Sequence, residues 1–578
     1  TLGTAALAPL VAAADRGAFL ARHFALYAAV PLILLVLRFS EGSVNARPGT
    51  LSVLLAFAFA AHALGALWRA LPALTDRRAA VALAGIALVV YLALVPYHRA
   101  VQPTASDEPH YLLIVQSLLL DGDVDLRNDY EGDRYRVFYP DRLPDVHGIE
   151  VGDAVYPIRD LGLPLLAALP YALGGRDGVL ALICLAGAAL ALQLYLLLRD
   201  LRFAPRLALL AVAAVAFTHP VLTYTTQIYP ELIAALVFVS AARVLRAGDA
   251  LRTRDLALAS ALVAVLPWLS TRAWLIAVGL GLAVAYWALR PLWARTAVIR
   301  ARGAGERQLP TSRPPLGTRL ARAARSVAAG LLPFALIVGA LAYANWLMFG
   351  LFLPSAGYYI IRDQQQVLAY TPHVGGLGLF FDRVFGLVGR APLYLLAFVG
   401  AVALYRRARG GHGAAVAALF LGWLLSFGYI ANIAYWWADG SPPSRYLLAT
   451  IPFLAVGVAA GSEVIAEARR WRAPLGAVAW ATGALSLLVV IVYAAVPNVR
   501  YDLALRIAET GGSGRLWELL GRTVRPDPAA FLPSLVQPGL LAWLLSAGWL
   551  VAAIGLGLLG GAVLARAAEG GSEARSGP

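Results

Sequence analysis

The sequence predicts an all-α polytopic membrane protein, a transmembrane helix bundle of about 12–14 spans with an external interfacial-helix loop. Three observations predict it. Of the 578 residues, 60% are hydrophobic and 14% charged, against about 25% charged in soluble domains. Mean hydropathy is +0.70, more apolar surface than a water-soluble fold of this length hides. Apolar runs long enough to cross the ~30 Å hydrocarbon core recur along nearly the whole chain. Their uniform character excludes barrel strands, which alternate polar and apolar residues.

In order, the runs fall near 18–38, 50–70, 79–97, 177–198, 206–224, 231–247, 256–271, 273–290, 326–349, 391–406, 414–436, 446–464, 473–496 and 538–564. Segment 161–175 is shorter, carries Pro164 and Pro170, and reads as a re-entrant or surface helix. Arginines orient the bundle. Those at 69, 77 and 78, at 199, 202 and 206, at 243–254, through 290–325, at 406–409 and at 469–472 all fall at one end. The positive-inside rule makes that end, and both termini, cytoplasmic. Loops 98–160, 350–390, 437–445 and 498–537 are then external, although the last carries five arginines. The expected divisions are N-terminal helices over 1–78, a core over 79–465 and C-terminal helices over 466–578.

The net charge of +15 comes from these topological arginines, so no nucleic-acid partner is expected. All basic side chains are arginine, and the one cysteine, Cys184, lies in an apolar run and forms no intrachain disulfide. No cleavable signal peptide is expected.

The first external loop holds the chemistry: SDEPHYLLIVQSLLLDGDVDLRNDYEGDRYR, 106–136. Pro109 suits the first turn of a helix, with Ser106 or Asp107 near its N-cap. The apolar stretch His110–Leu120 is expected to lie in the membrane interface. Asp107 and Glu108 would then sit at the membrane surface, near a partly positive helix end. The run Asp121, Asp123, Asp125, Asp129 partly matches a calcium loop, but the glycine is misplaced and Gly132 stands where the last ligand belongs. Solvated turn residues are the better reading, and no metal is expected.

Further polar residues fall at external boundaries: Arg159 and Asp160 in YPIRDLG, Tyr229 and Glu231 in TQIYPE, Arg272 in PWLSTRAW, and Tyr358 after the span ending near 350. Asp382, Arg383 and Arg390 lie in FDRVFGLVGR, and Asp439, Arg445 and Tyr446 in ADGSPPSRY. Charged groups at such depth are costly and are usually paired or functional. An arginine among glycines and prolines suits a phosphate, and Arg445 is the first choice because Gly440, Pro442 and Pro443 shape its loop.

The string SDEPHYLL resembles the first external loop of GT-C membrane glycosyltransferases, which include protein O-mannosyltransferases and the lipid A aminoarabinose transferase. YPIRDLGLPLLAALPYALGG, TQIYPE, PWLSTRAW, LMFGLFLPSAGYY, FDRVFGLVGRAPLYLL and GSPPSRYLLATIPFL are similar to that family's bacterial branch of unassigned substrate, over about 105–455. The resemblance implies a GT-C-like fold in a bacterial inner membrane. It implies transfer of a hexosyl or pentosyl sugar from a polyprenyl-phosphate donor to a glycan, lipid or protein acceptor on the periplasmic face. Asp107 would be the general base and Glu108 would orient acceptor or sugar. Arg445, Arg272 or Arg159 would hold the donor phosphate. His110, Tyr111, Asp160, Tyr229, Glu231, Tyr358, Asp382, Arg383, Asp439 and Tyr446 are the substrate-binding candidates. A lipid-linked donor accords with the absence of a phosphate-cradling glycine loop, and no cofactor is implied, although a metal assists some relatives. Two other readings use the same residues: a transporter or flippase of a lipid-linked sugar, and a non-catalytic polyprenyl-lipid binder. Charge concentrated at one face rather than at mid-span favours the enzyme.

Overall fold

The computed structural model describes residues 48–573 except 102–103, 144–145, 294–314, 366–368, 370, 410–412, 469–470 and 523–526. The chain is helical almost throughout. Its principal helices are α1 (Pro48–Ala70), α2 (Asp76–Val101), α3 (Glu108–Leu120), α4 (Gly162–Asp200), α5 (Pro205–Ala216), α6 (Glu231–Leu245) and α7 (Thr253–Leu269). They continue with α8 (Trp274–Leu289), α9 (Leu316–Phe349), α10 (Ala356–Gln365), α11 (Ala401–Arg409), α12 (Gly413–Ala431), α13 (Ile451–Glu467), α14 (Arg472–Ala495) and α15 (Leu540–Glu573). Between α3 and α4 lies one antiparallel hairpin, β1 (Gly148–Val151) with β2 (Ala154–Pro157), Ile149 facing Tyr156.

Eight helices among the described residues are long and apolar enough to cross a membrane. They match the expected runs at 50–70, 79–97, 177–198, 273–290, 326–349, 414–436, 473–496 and 538–564; the run at 18–38 lies outside the described residues. The other five expected spans are shorter or interrupted. Helix α6 has 15 residues and α7 has 17. The run 206–224 stops at Ala216 and resumes as a single turn, Val221–Tyr224. The run 391–406 is broken at Gly400, and 446–464 at Ala449–Thr450. The breaks have packing causes. A Cβ on Gly400 would lie 2.4 Å from the Gly457 carbonyl oxygen, so the backbones approach as only glycine permits. Segment 161–175 joins the span behind it in one helix, kinked where Gly174 and Gly175 leave helical geometry.

Ion pairs tie the arginine-rich end together. Arg199 meets Asp76 at 2.7 Å, Arg243 and Arg246 meet Asp200 at 2.9 and 2.7 Å, Arg407 meets Glu463 at 2.7 Å, and Arg290 pairs with Asp249. The first three join the end of α4 to the start of α2 and the end of α6, and Arg407–Glu463 joins α11 to α13. The other end carries α3, the hairpin and the loops of 350–390, 432–450 and 497–537.

Two regions of that end are packed more closely than the hydropathy pattern suggests. Residues Glu108–Ser117 of helix α3 are all buried, while Leu119 and Leu120 at its end are 41% and 66% exposed. Loop 498–537 is no free external loop. Arg500 is 1% exposed and packs beneath the first loop, its Nη2 2.8 Å from His98 Nδ1. Tyr501 donates to Gln227 Oε1 at 2.8 Å and Trp517 Nε1 to the Arg383 carbonyl at 2.6 Å. Arg500 is thus held by buried partners, and Arg506 by ion pairs with Asp502 and Glu518, each at 2.9 Å.

Candidate active site

Asp107 precedes α3 at its N-cap position but makes no capping hydrogen bond. Asp107 thus holds the expected N-cap position, and Ser106 before it adopts φ +52, in the left-handed region. The carboxylate is 5% exposed and meets two guanidiniums. Arg159 Nη2 donates to Oδ1 at 2.5 Å, and Arg445 Nη1 donates to Oδ2 at 2.8 Å. Burial alone would push this carboxyl up, but Arg159 and Arg445 together hold it well below the usual carboxylate range.

Arg445 is committed on its far side too. Its Nε donates to Glu231 Oε1 at 2.7 Å, and its guanidinium lies 4.0 Å from the centre of the Tyr229 ring. It follows Ser444, a second non-glycine residue at positive φ, +59. The two turns touch: a Cβ on Gly440 would lie 3.6 Å from Ser106. Thus the acid and its arginine partner each follow a strained residue, and strain of this kind concentrates at functional sites.

Around this pair stand other predicted residues. Arg159 Nη2 also lies 3.2 Å from His147 Nδ1. Arg272 sits over the Tyr446 ring at 4.3 Å and forms no ion pair among the described residues. It shares a narrow crevice with Glu231, Ser270 and Tyr446, where Glu231 Oε2 has no hydrogen-bond partner. Tyr358 lies within electrostatic reach of Arg159, Arg272, Asp160 and Asp107, and Tyr111 of Asp107 and Arg445. Asp160 accepts from the Thr271 amide at 2.8 Å and its hydroxyl at 2.9 Å, anchoring the turn that carries Arg272. Burial pushes the Asp160 carboxyl up to about 6 despite those bonds and the nearby Arg272.

Glu108 faces another way. Its Oε1 accepts from the Ile228 amide at 2.7 Å and Oε2 from the Ala105 amide at 3.0 Å. Burial raises its carboxyl, Arg176 opposing. It straps the TQIYPE turn to the first loop. Three further candidates are spent elsewhere. Asp382 accepts three backbone amides, from Val384, Phe385 and Leu535, at 2.7–2.8 Å. Asp439 accepts from the Ala504 amide at 2.8 Å. Arg383 lines a separate cavity against the C-terminal loop. Arg390, raised as an alternative, donates to the Val384 carbonyl and holds the same turn.

Two residues enter that no sequence signal marked. The His147 ring stacks on His110 with centroids 3.7 Å apart, and His147 Nδ1 lies 3.9 Å from Asp107 Oδ1. Tyr130 receives both partners, its hydroxyl 2.9 Å from His110 Nδ1 and 3.2 Å from the His147 amide. Burial, with His147 beside it, holds the His110 imidazole down to about 3, so it is neutral at physiological pH.

The acidic run is consumed by local bonds. Asp121 and Asp129 both take Arg134, and Asp125 accepts from the amides of Arg127 and Val155. Among the described residues no group of three or more His, Cys, Asp or Glu side chains is placed to hold a metal.

No family model and no curated protein sequence matches the chain. Solved structures do. The apo oligosaccharyltransferase of Archaeoglobus fulgidus is similar over 83% of this chain and 64% of its own, with 16% identity and a TM-score of 0.39. ArnT from Cupriavidus metallidurans bound to undecaprenyl phosphate is similar over 83% of this chain and 76% of its own, at 15% identity and TM-score 0.41. AglB from Archaeoglobus fulgidus, in complex with an inhibitory peptide and a dolichol-phosphate, gives 82% and 63%, 14% and 0.38. This chain thus spans less than two thirds of the length of the archaeal enzyme. Likeness at this level assigns neither activity nor substrate to it.

Proposed function

We propose that this chain is a membrane glycosyltransferase that moves a sugar from a polyprenyl-phosphate donor to an acceptor, with Asp107 as general base. The observation that carries the reading is the buried Asp107 carboxylate held between Arg159 and Arg445, with Arg272 on the adjoining Tyr446 ring and in one crevice with Glu231. A carboxylate held by two guanidiniums, with a third guanidinium in the adjoining crevice, suits a reaction that takes a proton from a nucleophile and leaves charge on a phosphate.

The three arginines divide the work. Arg445, gripped by Asp107 and Glu231, positions the base rather than the donor, which reverses the ranking drawn from its loop. Arg272 is free of carboxylates, and Arg159 is at the open edge, its side chain 16% exposed. These two receive the donor phosphate. While doubly paired, Asp107 is a poor base. A phosphate that competes for Arg159 releases Oδ1 and raises the basicity of the carboxylate beside the arriving acceptor. The acceptor hydroxyl or amide gives its proton to Oδ1 as it attacks the anomeric carbon. The bond from that carbon to the phosphate oxygen breaks, and polyprenyl phosphate leaves with one more negative charge on Arg159 and Arg272. His147 lies 3.9 Å from Asp107 Oδ1, and the Tyr229 ring stacks under the Arg445 guanidinium.

The same reading places this site on the periplasmic side of a bacterial inner membrane, opposite the arginine-rich end. The core of 79–465 supplies the chemistry and the segment after 466 supplies the loop that braces it.

The test is transfer of radiolabelled sugar from a panel of polyprenyl-phosphate sugars, in membranes carrying the full chain or Asp107→Asn. A loss of ~10²-fold or more in a folded variant is expected; equal transfer by both removes Asp107 as the base. Arg272→Gln is expected to raise the KM for donor ~10-fold or more while Arg445→Lys lowers kcat, a split that separates phosphate holding from base positioning.

A further inference from the structure

Arg383 was a substrate-binding candidate, yet it stands apart from the Asp107 cluster. It lines a cavity of about 330 Å³ with Ile507, Ala529, Ser534, Gln537 and Leu541, between the C-terminal loop and the first turn of α15. Its own backbone is fixed on both sides: its amide donates to the Pro533 carbonyl at 2.8 Å, and its carbonyl accepts from Trp517 Nε1 at 2.6 Å. The side chain is not. Arg383 Nε is buried without a hydrogen-bond partner, and the guanidinium forms no ion pair among the described residues. The Asp382 carboxylate beside it is saturated by three backbone amides. A cation left unpaired in a partly buried cavity is costly, and an anion arriving from outside removes the cost.

We propose that this cavity binds the phosphate headgroup of an anionic glycerophospholipid, at a site distinct from the one that holds Asp107. Three features select that chemistry. The planar guanidinium fork matches phosphate oxygens two at a time. Ser534 and Gln537 add neutral hydrogen-bond donors on the same wall. Leu541 and Ala542, also lining the cavity, belong to the first turn of a 34-residue helix, whose positive end favours an anion.

The lipid source follows from what lies next to the cavity. Leu540, Leu541 and Leu544 on α15 are 77%, 68% and 62% exposed, and Phe531 on the adjoining loop is 58% exposed. These side chains face hydrocarbon at the point where a span begins. A headgroup seated on Arg383 sends its acyl chains down that apolar face. A bound lipid here would clamp the C-terminal loop, whose Arg500 and Tyr501 brace the TQIYPE turn against Glu108. The site needs no glycosyltransferase activity and stands whether or not that reading holds.

The experiment is native mass spectrometry of the full chain, released from micelles and titrated with phosphatidylglycerol, then with glycerol phosphate and inorganic phosphate as soluble competitors. The wild type is expected to hold one phosphatidylglycerol ~10-fold or more tightly than Arg383→Gln, with Arg383→Lys intermediate. Ser534→Trp, which fills the cavity and keeps the cation, is expected to lose the lipid too, so the result does not rest on the folding of one variant. Arg272→Gln is expected to retain it. Equal retention by the wild type, Arg383→Gln and Ser534→Trp would overturn the site. Displacement by glycerol phosphate or inorganic phosphate at concentrations matching the lipid would overturn the lipid and leave a soluble phosphate ester as the ligand.

Discussion

The two ends of the bundle use the same residue types to opposite effect. At the arginine-rich end the ion pairs among the described residues are partly exposed: Asp249 is 71% exposed, Asp76 46%, Arg246 39%, and the least exposed, Arg407 with Glu463 and Arg243 with Asp200, still 20–25%. At the other end Arg445, Glu231 and Asp107 have side chains 4%, 6% and 7% exposed. Exposed pairs contribute about 0–1 kcal/mol each. Buried ions lose several kcal/mol of hydration, and their mutual attraction often does no more than offset it. Stability alone would favour apolar side chains at the second end. The first set staples helix ends; the second is a costly cluster that packing alone does not explain.

The largest expected effect breaks the second set directly. Arg445→Gln leaves Asp107 with one guanidinium and Glu231 Oε1 with none, both still buried. The expected loss is about 3–5 kcal/mol of stability, measured by chemical unfolding in bicelles. Glu231→Gln combined with Arg445→Gln should recover part of it, because the uncompensated charge is gone. A loss under ~1 kcal/mol for Arg445→Gln would mean that water reaches these groups and that the contrast between the two ends is overstated.

Asp107→Asn sharpens the comparison by separating catalysis from folding. The amide still accepts from one guanidinium, so stability should fall by less than in Arg445→Gln, while transfer falls ~10²-fold or more. No cap is lost, since Asp107 makes none. If stability collapses as far as activity, the carboxylate is a structural counter-ion to Arg159 and Arg445 and the base must be sought elsewhere.

How far the sequence revealed this site depends on which forces placed each residue. Runs of apolar residues are a local property, so eight spans are readable directly. The interruption at Gly400 is set by the Gly457 backbone, distant in sequence, and hydropathy averages over it. Asp107, Arg159, Glu231, Arg272 and Arg445 were legible because charge at a membrane boundary is rare and needs a reason. The same rule could not separate Asp382 and Asp439, whose partners are backbone amides of the C-terminal loop. His147 left no trace, since its stacking on His110 depends on where the short hairpin docks, which no periodicity encodes. Capping does not account for Asp107, because both its carboxylate oxygens are taken by Arg159 and Arg445.

A smaller effect concerns pH. The folded protein holds the Asp160 proton up to about 6, whereas in the unfolded chain an aspartate titrates near ~3.9. Below the unfolded value both states are protonated and the group's full preference for the folded state is present. As pH rises from about 4 to about 6 the unfolded state ionises first and that preference is lost; above about 6 the curve is flat. Asp160→Asn should remove this slope from the stability–pH profile and leave the region above pH 6 parallel to wild type. An unchanged slope would assign it to other carboxyls that burial raises, Glu108, Asp382 and Asp502 among them.

The smallest effect is expected at the first end. Asp249→Ala removes the exposed partner of Arg290, and stability should change by no more than ~0.5 kcal/mol. Orientation should not change either, because the arginines that set it all remain and acidic residues contribute little to the rule. A loss above ~1.5 kcal/mol would show the arginine-rich end to be an energetic network in its own right. Burial, and no longer the presence of charge pairs, would then be the only property that distinguishes the end carrying Asp107.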